Sequence, residues 1–287
     1  MNTPIILTHR GLDPDRHTYW SESTKEAFID QLQRGYGLEF DFHFTKDRCM
    51  PVLHDATLKR ITNGVDLRSI DEVNYNDLQC SLRVNGTIIT LSDLLILIEQ
   101  LQSPYVCSAL HLKHEHQNRQ DLDALLRQIA QFDHARFIIF DATPPAAAHL
   151  KQSNQTLQIY ASVAHLYDIK RYNHYVGGTL ISLDQLEMNR SLYTGAWLDE
   201  WDLTDENGNK KTLYNKSTFD RLRARGFGVA LVTPELHCTS PGLLGGESHP
   251  SAAHRDALNK RLVEIVGLKP DIICTDHPDH IRSLLKI

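Results

Sequence analysis

The chain has 287 residues and a formal charge of −6, with 41% hydrophobic and 23% charged residues. Area scaling lets a chain of this length bury roughly three quarters of its unfolded surface, so it needs no staple, and the balance excludes a disordered tail, a collagen and a coiled coil. No dense Lys/Arg run marks a nucleic-acid face, and no apolar stretch approaches the roughly 18 residues of a membrane span.

The run Leu91 to Ile98, the nearest approach to a span, is short and carries Ser92 and Asp93. The apolar start Ile5 to Leu7 gives way at once to Asp13 and Asp15, so no secretory signal is read. Cys49, Cys80, Cys107, Cys238 and Cys274 are odd in number and widely spaced, as for reduced thiols. These features together predict a cytoplasmic protein. Oligomeric state has no signature in the sequence.

In chain order, Ile5–His9 reads as a strand and Thr24–Gln33 as a helix with Ala27, Phe28, Ile29 and Leu32 on one stripe. Leu38–Phe44 alternates strictly, with Leu38, Phe40, Phe42 and Phe44 on one side and Glu39, Asp41 and His43 on the other. Met50–His54 is a brief extended piece. Ser92 is placed as the cap of a helix Asp93–Gln100. Tyr105–Lys113 follows as a strand, Asp121–Gln131 as a helix and Arg136–Phe140 as a buried strand. The second half predicts helices over Pro144–Lys151, His165–Tyr172, Ser217–Arg225 and Ala252–Val266. Between them stand strands over Leu157–Ser162, Ala196–Trp201, Gly228–Thr233 and Asp271–Thr275. Eight strands alternating with helices predict a (β/α)₈ TIM barrel, and no composition break divides residues 1–287, so one domain is expected.

The polar face of the second strand is the first chemical signal. Glu39 and Asp41 at i and i+2 on an apolar strand are costly to bury unless a cation neutralises them. Mg²⁺ and Ca²⁺ prefer such oxygen ligands. His9-Arg10-Gly11 closes the first strand, where a barrel places its active-site loops. His54 follows 45 residues after His9. Two histidines near a metal suit acid and base roles, and Arg10 offers a fork of donors for phosphate.

His9-Arg10-Gly11 is followed by Ser21-Glu22-Ser23-Thr24 with Ala27-Phe28, then by Glu39-Phe40-Asp41 with Thr45-Lys46-Asp47. His54-Asp55-Ala56-Thr57-Leu58 comes next, with Arg60 and Thr62. This order and spacing across residues 8–64 resembles the glycerophosphodiester phosphodiesterase family, a group of phospholipase C-like TIM barrels. Asp271-Ile272-Ile273-Cys274-Thr275-Asp276-His277-Pro278-Asp279 is similar to that family's closing strand and loop, while the middle of the chain matches only in strand order. The resemblance implies a divalent metal held by Glu39 and Asp41, catalytic His9 and His54, and a glycerophosphodiester or related polyol or sugar phosphodiester as the small-molecule substrate. His9 is assigned as base and His54 as acid.

One position departs from the family pattern. A Glu-x-Lys pair usually ends the third strand; here the stretch is Leu110-His111-Leu112-Lys113. Lys113 fits a phosphate-contacting lysine. His111 takes the carboxylate's place, which keeps Mg²⁺ or Ca²⁺ as the first expectation and admits Mn²⁺ or Zn²⁺. Either the metal differs, or another carboxylate completes the shell, or the site is weak. His111 also motivates an alternative, a non-catalytic binding protein on the same barrel. A phospholipase acting on intact lipid is less favoured by the acidic balance.

Further along, Trp197-Leu198-Asp199-Glu200-Trp201 is read as a strand ending in two acids. Either Asp199 joins the metal while Trp197 and Trp201 wall a substrate pocket, or the tryptophans are core and the acids surface. Glu235 or His237, after the seventh strand, is placed against the leaving group. Residues Cys238–Pro250 read as a cover or a plain long loop. His114 and His116 are expected on a solvated loop, and His43 either at the pocket mouth or as a satisfied polar residue.

Overall fold

Each strand pairs with the next, and the last pairs with the first, so that eight parallel strands close a barrel. The computed structural model describes residues 3–16, 20–81, 83–236 and 249–286. The strands are β1 (Ile5–His9), β2 (Gly37–Asp41), β3 (Ser108–His111), β4 (Phe137–Phe140), β5 (Ile159–Val163), β6 (Gly195–Leu198), β7 (Gly228–Val232) and β8 (Ile272–Thr275). The helices described are α1 (Lys25–Gln33), α2 (Tyr75–Ser81), α3 (Leu91–Leu101), α4 (Arg119–Ile129) and α5 (Pro144–Ser153) in the first half. In the second half they are α6 (Leu166–Tyr172), α7 (Leu183–Met188), α8 (Lys216–Ala224), α9 (Arg255–Leu268) and α10 (Pro278–Leu285).

Side-chain alternation divides the core in two. Leu7, Ala109, Ile138, Trp197, Ala230 and Ile272 pack together inside the barrel. Their strand neighbours, among them Ile6, Leu38, Phe40, Leu110, Ile139 and Leu198, pack outward against the helices. Burial on both faces is why these strands read as short, nearly continuous apolar runs. Since Leu38 and Phe40 face the helices, Glu39 and Asp41 face the interior.

All eight expected strand segments overlap a strand, but several end sooner. β2 stops at Asp41 because the chain beyond it folds back on itself. Leu53 N–H donates to the Asp41 carbonyl, His43 N–H to that of Pro51 and Thr45 N–H to that of Cys49, at 3.1, 3.2 and 2.9 Å. β6 stops at Leu198, and Trp201 leaves the barrel to pack with Ala164, Tyr172 and Leu180. The two tryptophans therefore do not wall one pocket. α3 is capped by Thr90 and not by Ser92: Thr90 Oγ1 accepts from Asp93 N–H at 3.2 Å, and Asp93 returns the bond to Thr90 N–H at 3.2 Å. A single 3₁₀ turn occupies Pro250–Ala252, and α9 begins only at Arg255.

The connection from β2 to α3, residues 42–90, carries a small core of its own from Leu53, Leu58, Ile61, Ile70, Val73, Leu78 and Ile88. It holds His54 over the barrel mouth. Cys49, Cys80, Cys107 and Cys274 are free thiols. Cys238, His237 and most of the Cys238–Pro250 stretch lie outside the described residues. No described helix is long and apolar enough to cross a membrane.

Two glycines make opposite demands. A methyl group on Gly37, at the start of β2, would stand 2.2 Å from the Cys107 carbonyl oxygen and 2.5 Å from Leu7 Cδ2. Gly267, inside α9, has nothing within 4 Å of that position. Gly37→Ala should destabilise the fold by about 1–3 kcal/mol through overpacking, and Gly267→Ala should stabilise it by about 0.5–1 kcal/mol through helix propensity. Urea denaturation checks both; equal midpoints for the two variants would contradict the packing argument.

Candidate active site

Parallel barrels carry their reactive groups at the carboxyl ends of the strands. At the end of β1, Arg10 and Gly11 turn the chain with φ of 55° and 74°, and Arg10 N–H donates to the Glu39 carbonyl at 2.9 Å. This tight turn keeps His9 and Arg10 beside β2. His9 Nδ1 pairs with Asp276 Oδ1, just past β8, at 3.0 Å. Register sets Asp41 opposite His111, so the two side chains meet across β2 and β3.

Asp41 is the most heavily engaged group. Its Oδ1 accepts from His111 Nδ1 at 2.7 Å and from Lys113 Nζ at 2.9 Å. Arg10 Nε stands 3.6 Å from its Oδ2. Burial works to raise the Asp41 carboxyl, but Lys113, His54 and His111 outweigh it and hold it well below the usual range. At Glu39 the balance falls the other way, because His9, His111 and Arg10 do not offset what opposes its charge. Burial first and the Asp41 charge second push its carboxyl upward.

His111 faces the site, with both ring nitrogens on carboxylates: Nε2 lies 3.2 Å from Asp141 Oδ2. Burial and Lys113 oppose its charge, yet Asp141 and Asp41 prevail and push its pKa up to about 9. The ring stacks on Phe140, which stacks on Trp197 at 4.0 Å between centroids. Trp197 is thus the floor beneath His111, 3% exposed, and not a wall of the cleft.

Glu39 Oε2 and Asp41 Oδ2 are both buried with no hydrogen-bond partner. Ligand atoms of Glu39, Asp41 and His111 lie within 4.8 Å of one another. Two orphaned carboxylate oxygens and an imidazole fit a divalent cation, for which His111 must release a proton. Asp199 belongs to neither of the two groups of closely spaced ligand atoms among the described residues; its backbone N–H closes the β5–β6 edge on Val163.

A cavity of about 810 Å³ opens over this group, lined by Arg10, His54, Arg60, His111, Lys113 and Asp141 among others. His54 Nδ1 donates to Asp55 Oδ1 at 2.7 Å. Asp55 also accepts from Arg60 Nε at 2.7 Å, and Arg60 reaches Glu22 at 2.6 Å. Burial, then Lys113 and Arg10, push the His54 pKa down to about 3. Glu235 accepts from Thr233 and Thr275 hydroxyls at 2.5 and 2.7 Å, so it braces the ends of β7 and β8.

The sequence reading did not single out Asp141 or the pairing role of Asp276. Each is the first residue after a strand, Phe140 and Thr275 being the last residues of theirs, and that position was the available signal. His116 corrects the expectation of a solvated loop: it is 9% exposed and bonded to His43 and Asp121.

The depressed His54 makes a prediction for metal-free protein. Unfolded, the imidazole takes a proton near pH 6.5; folded, it does so only near about 3. Its contribution to stability is present above about 6.5 and is lost as pH falls toward 3. His43, at about 4 in the fold, has the same sign. His54→Asn should therefore flatten the acid limb of stability by about 1.4 kcal/mol per pH unit between about pH 6 and 4.5. Urea midpoints against pH that run parallel in both proteins would contradict the depression.

The sequence model of the Glycerophosphoryl diester phosphodiesterase family matches residues 9–280. Among curated proteins none matches the chain. Solved structures share the fold at low identity. A glycerophosphoryl diester phosphodiesterase from Parabacteroides distasonis is 18% identical, with 99% of this chain and 86% of that one covered and a TM-score of 0.66. A glycerophosphodiester phosphodiesterase from Thermotoga maritima is 16% identical, with 100% and 99% covered and a TM-score of 0.59. An Oleispira antarctica phosphodiesterase, solved with the product sn-glycerol-3-phosphate, is 14% identical, with 99% and 98% covered and a TM-score of 0.62. With a closed barrel and a family match over nearly its whole length, the chain belongs to the glycerophosphoryl diester phosphodiesterase family and is a phosphoric diester hydrolase.

Proposed function

We propose that the protein hydrolyses glycerophosphodiesters, or related polyol or sugar phosphodiesters, with the help of a divalent metal held by Glu39, Asp41 and His111. The observation that carries this reading is the pair of buried, orphaned carboxylate oxygens on β2 beside two carboxylate-tethered histidines. The product bound by the Oleispira relative, a polyol phosphate, supports the substrate class. The metal, when bound, withdraws charge from a phosphate oxygen and helps align the attacking group.

The protein's own groups do the rest. Arg10 and Lys113 neutralise the remaining phosphate oxygens and orient the phosphorus. His9 and His54 each engage a carboxylate through Nδ1, which directs Nε2 to proton transfer. His9 takes the proton of the attacking hydroxyl, from water or from the substrate's neighbouring alcohol. The new P–O bond forms as the opposite P–O bond breaks, and His54 gives its proton to the departing alkoxide. An incoming phosphate offsets the Lys113 and Arg10 charges that depress His54, so the imidazole gains proton affinity when substrate is bound.

Glu39→Gln and Asp41→Asn should each abolish metal binding in the cleft and activity; Glu39→Gln should leave stability nearly unchanged, while Asp41→Asn should lower it by taking a carboxylate from Lys113 and His111. Calorimetric Mg²⁺, Ca²⁺ and Mn²⁺ titrations, with hydrolysis of bis(p-nitrophenyl) phosphate and glycerophosphodiesters, read both. Variants that bind and turn over like the wild type would remove these ligands from the mechanism. His9→Ala and His54→Ala should each lower kcat by about 10² to 10⁴ with little change in metal affinity. Near-normal single-turnover rates in either variant would show that histidine to be no catalyst.

A further inference from the structure

Behind the segment that carries His54 lies a second set of ligand-type side chains. His43 Nδ1 and His116 Nε2 stand 3.0 Å apart. Glu115 Oε1 is 3.6 Å from His43 Nδ1, and ligand atoms of the three residues all lie within 4.8 Å of one another. Both rings are held from outside by groups that only accept. His43 Nε2 lies 2.9 Å from the His54 carbonyl oxygen, and His116 Nδ1 lies 3.3 Å from Asp121 Oδ2.

A count of hydrogens follows. The three contacts along this row, carbonyl to ring, ring to ring and ring to carboxylate, need three N–H groups, and two neutral imidazoles supply two. If each ring donates outward, the two inner nitrogens face one another as lone pairs. A cation between them meets both lone pairs and the Glu115 carboxylate, while the outer N–H groups keep their oxygen partners. Metal-bound histidines are held in this way, with the second nitrogen donating to a carbonyl or carboxylate. Zn–N bonds of about 2.0–2.1 Å in a tetrahedron place ligand atoms about 3.3–3.4 Å apart, between the 3.0 and 3.6 Å seen here. Phe42 stacks over His116 and Phe44 meets it edge-on, while Lys113 beside His43 and Arg48 on Asp121 supply positive charge nearby.

We propose that His43, Glu115 and His116 form a second metal centre, for Zn²⁺ or a similar borderline cation, separate from the Glu39–Asp41–His111 group. Two imidazoles and one carboxylate favour Zn²⁺ or Co²⁺ over Mg²⁺ or Ca²⁺, which suit the oxygen-rich group in the cleft. Through the His43 Nε2 bond to the His54 carbonyl, the centre anchors the backbone of a proposed catalytic histidine. His43 is thus a positioning residue, and the proposal does not rest on the phosphodiesterase reading.

The test is metal stoichiometry in chelator-treated protein, measured by elemental analysis and by Co²⁺ visible absorption. A Glu39→Gln/Asp41→Asn background isolates the second centre from the cleft. That background should bind one Zn²⁺ per chain, and Co²⁺ should give the intense visible bands of a four- or five-coordinate site. Adding Glu115→Gln or His116→Gln should abolish the bands. Adding Asp121→Asn, which removes only the outer carboxylate, should weaken Zn²⁺ about 10- to 100-fold. Circular dichroism checks the fold, and Glu115, the most exposed of the three, gives the variant least exposed to misfolding. A background that binds no Zn²⁺, or bands unmoved by Glu115→Gln in folded protein, overturns the proposal.

Discussion

Two carboxylates buried side by side on β2 set the terms for the whole mouth of the barrel. Neither Glu39 nor Asp41 can hold a charge there without help, because burial of an unpaired carboxylate costs several kcal/mol. Asp41 receives that help from Lys113, His111 and Arg10. Glu39 feels His9, His111 and Arg10 as well, but burial and the Asp41 charge outweigh them and raise it. The asymmetry makes Asp41 the anchor of a cationic cluster, while each acid keeps one buried oxygen without a hydrogen-bond partner. Lys113 and Arg10 are then placed twice over, as counter-ions of Asp41 and as the cationic lining of the cavity above it.

The same frame explains what was readable from residues alone. Strict alternation from Leu38 to Asp41 revealed which side chains face inward, because a strand has a period of two and the apolar half must meet the helices. The register of β2 and β3 then followed in space but not in sequence: nothing in Leu110-His111-Leu112 shows that His111 lies opposite Asp41. Asp141 was hidden for the same reason, since its partner is 30 positions earlier. The segment Phe42–Phe44 continues the alternation, which predicts strand. Its backbone instead bonds to residues 49–53, a choice made by local chain reversal that periodicity does not report.

His116 and Trp201 show the limit from the other side. Both stand in polar surroundings in the sequence or near acids, and both turn out to be buried by neighbours from distant segments. Phe42, Phe44 and His43 cover His116, and Tyr172 and Leu180 cover Trp201. Tertiary contact decides burial here, and single-chain pattern carries little of it.

A carboxylate in place of His111, opposite Asp41 and beside Asp141, would add a fourth acid to a cluster that already holds Glu39, Asp41 and Asp141. Such a cluster folds at a cost unless a cation is present. An imidazole reverses the sign: with its pKa pushed up to about 9, it carries positive charge at neutral pH and bridges both acids. The charged imidazole screens the repulsion between Asp41 and Asp141 from within the cluster. The barrel mouth can then assemble without a cation. On the proposed metal reading, a cation would enter by exchange, one proton leaving His111 for each cation it helps to bind, so the affinity of the cleft for metal would rise with pH across the range where His111 titrates.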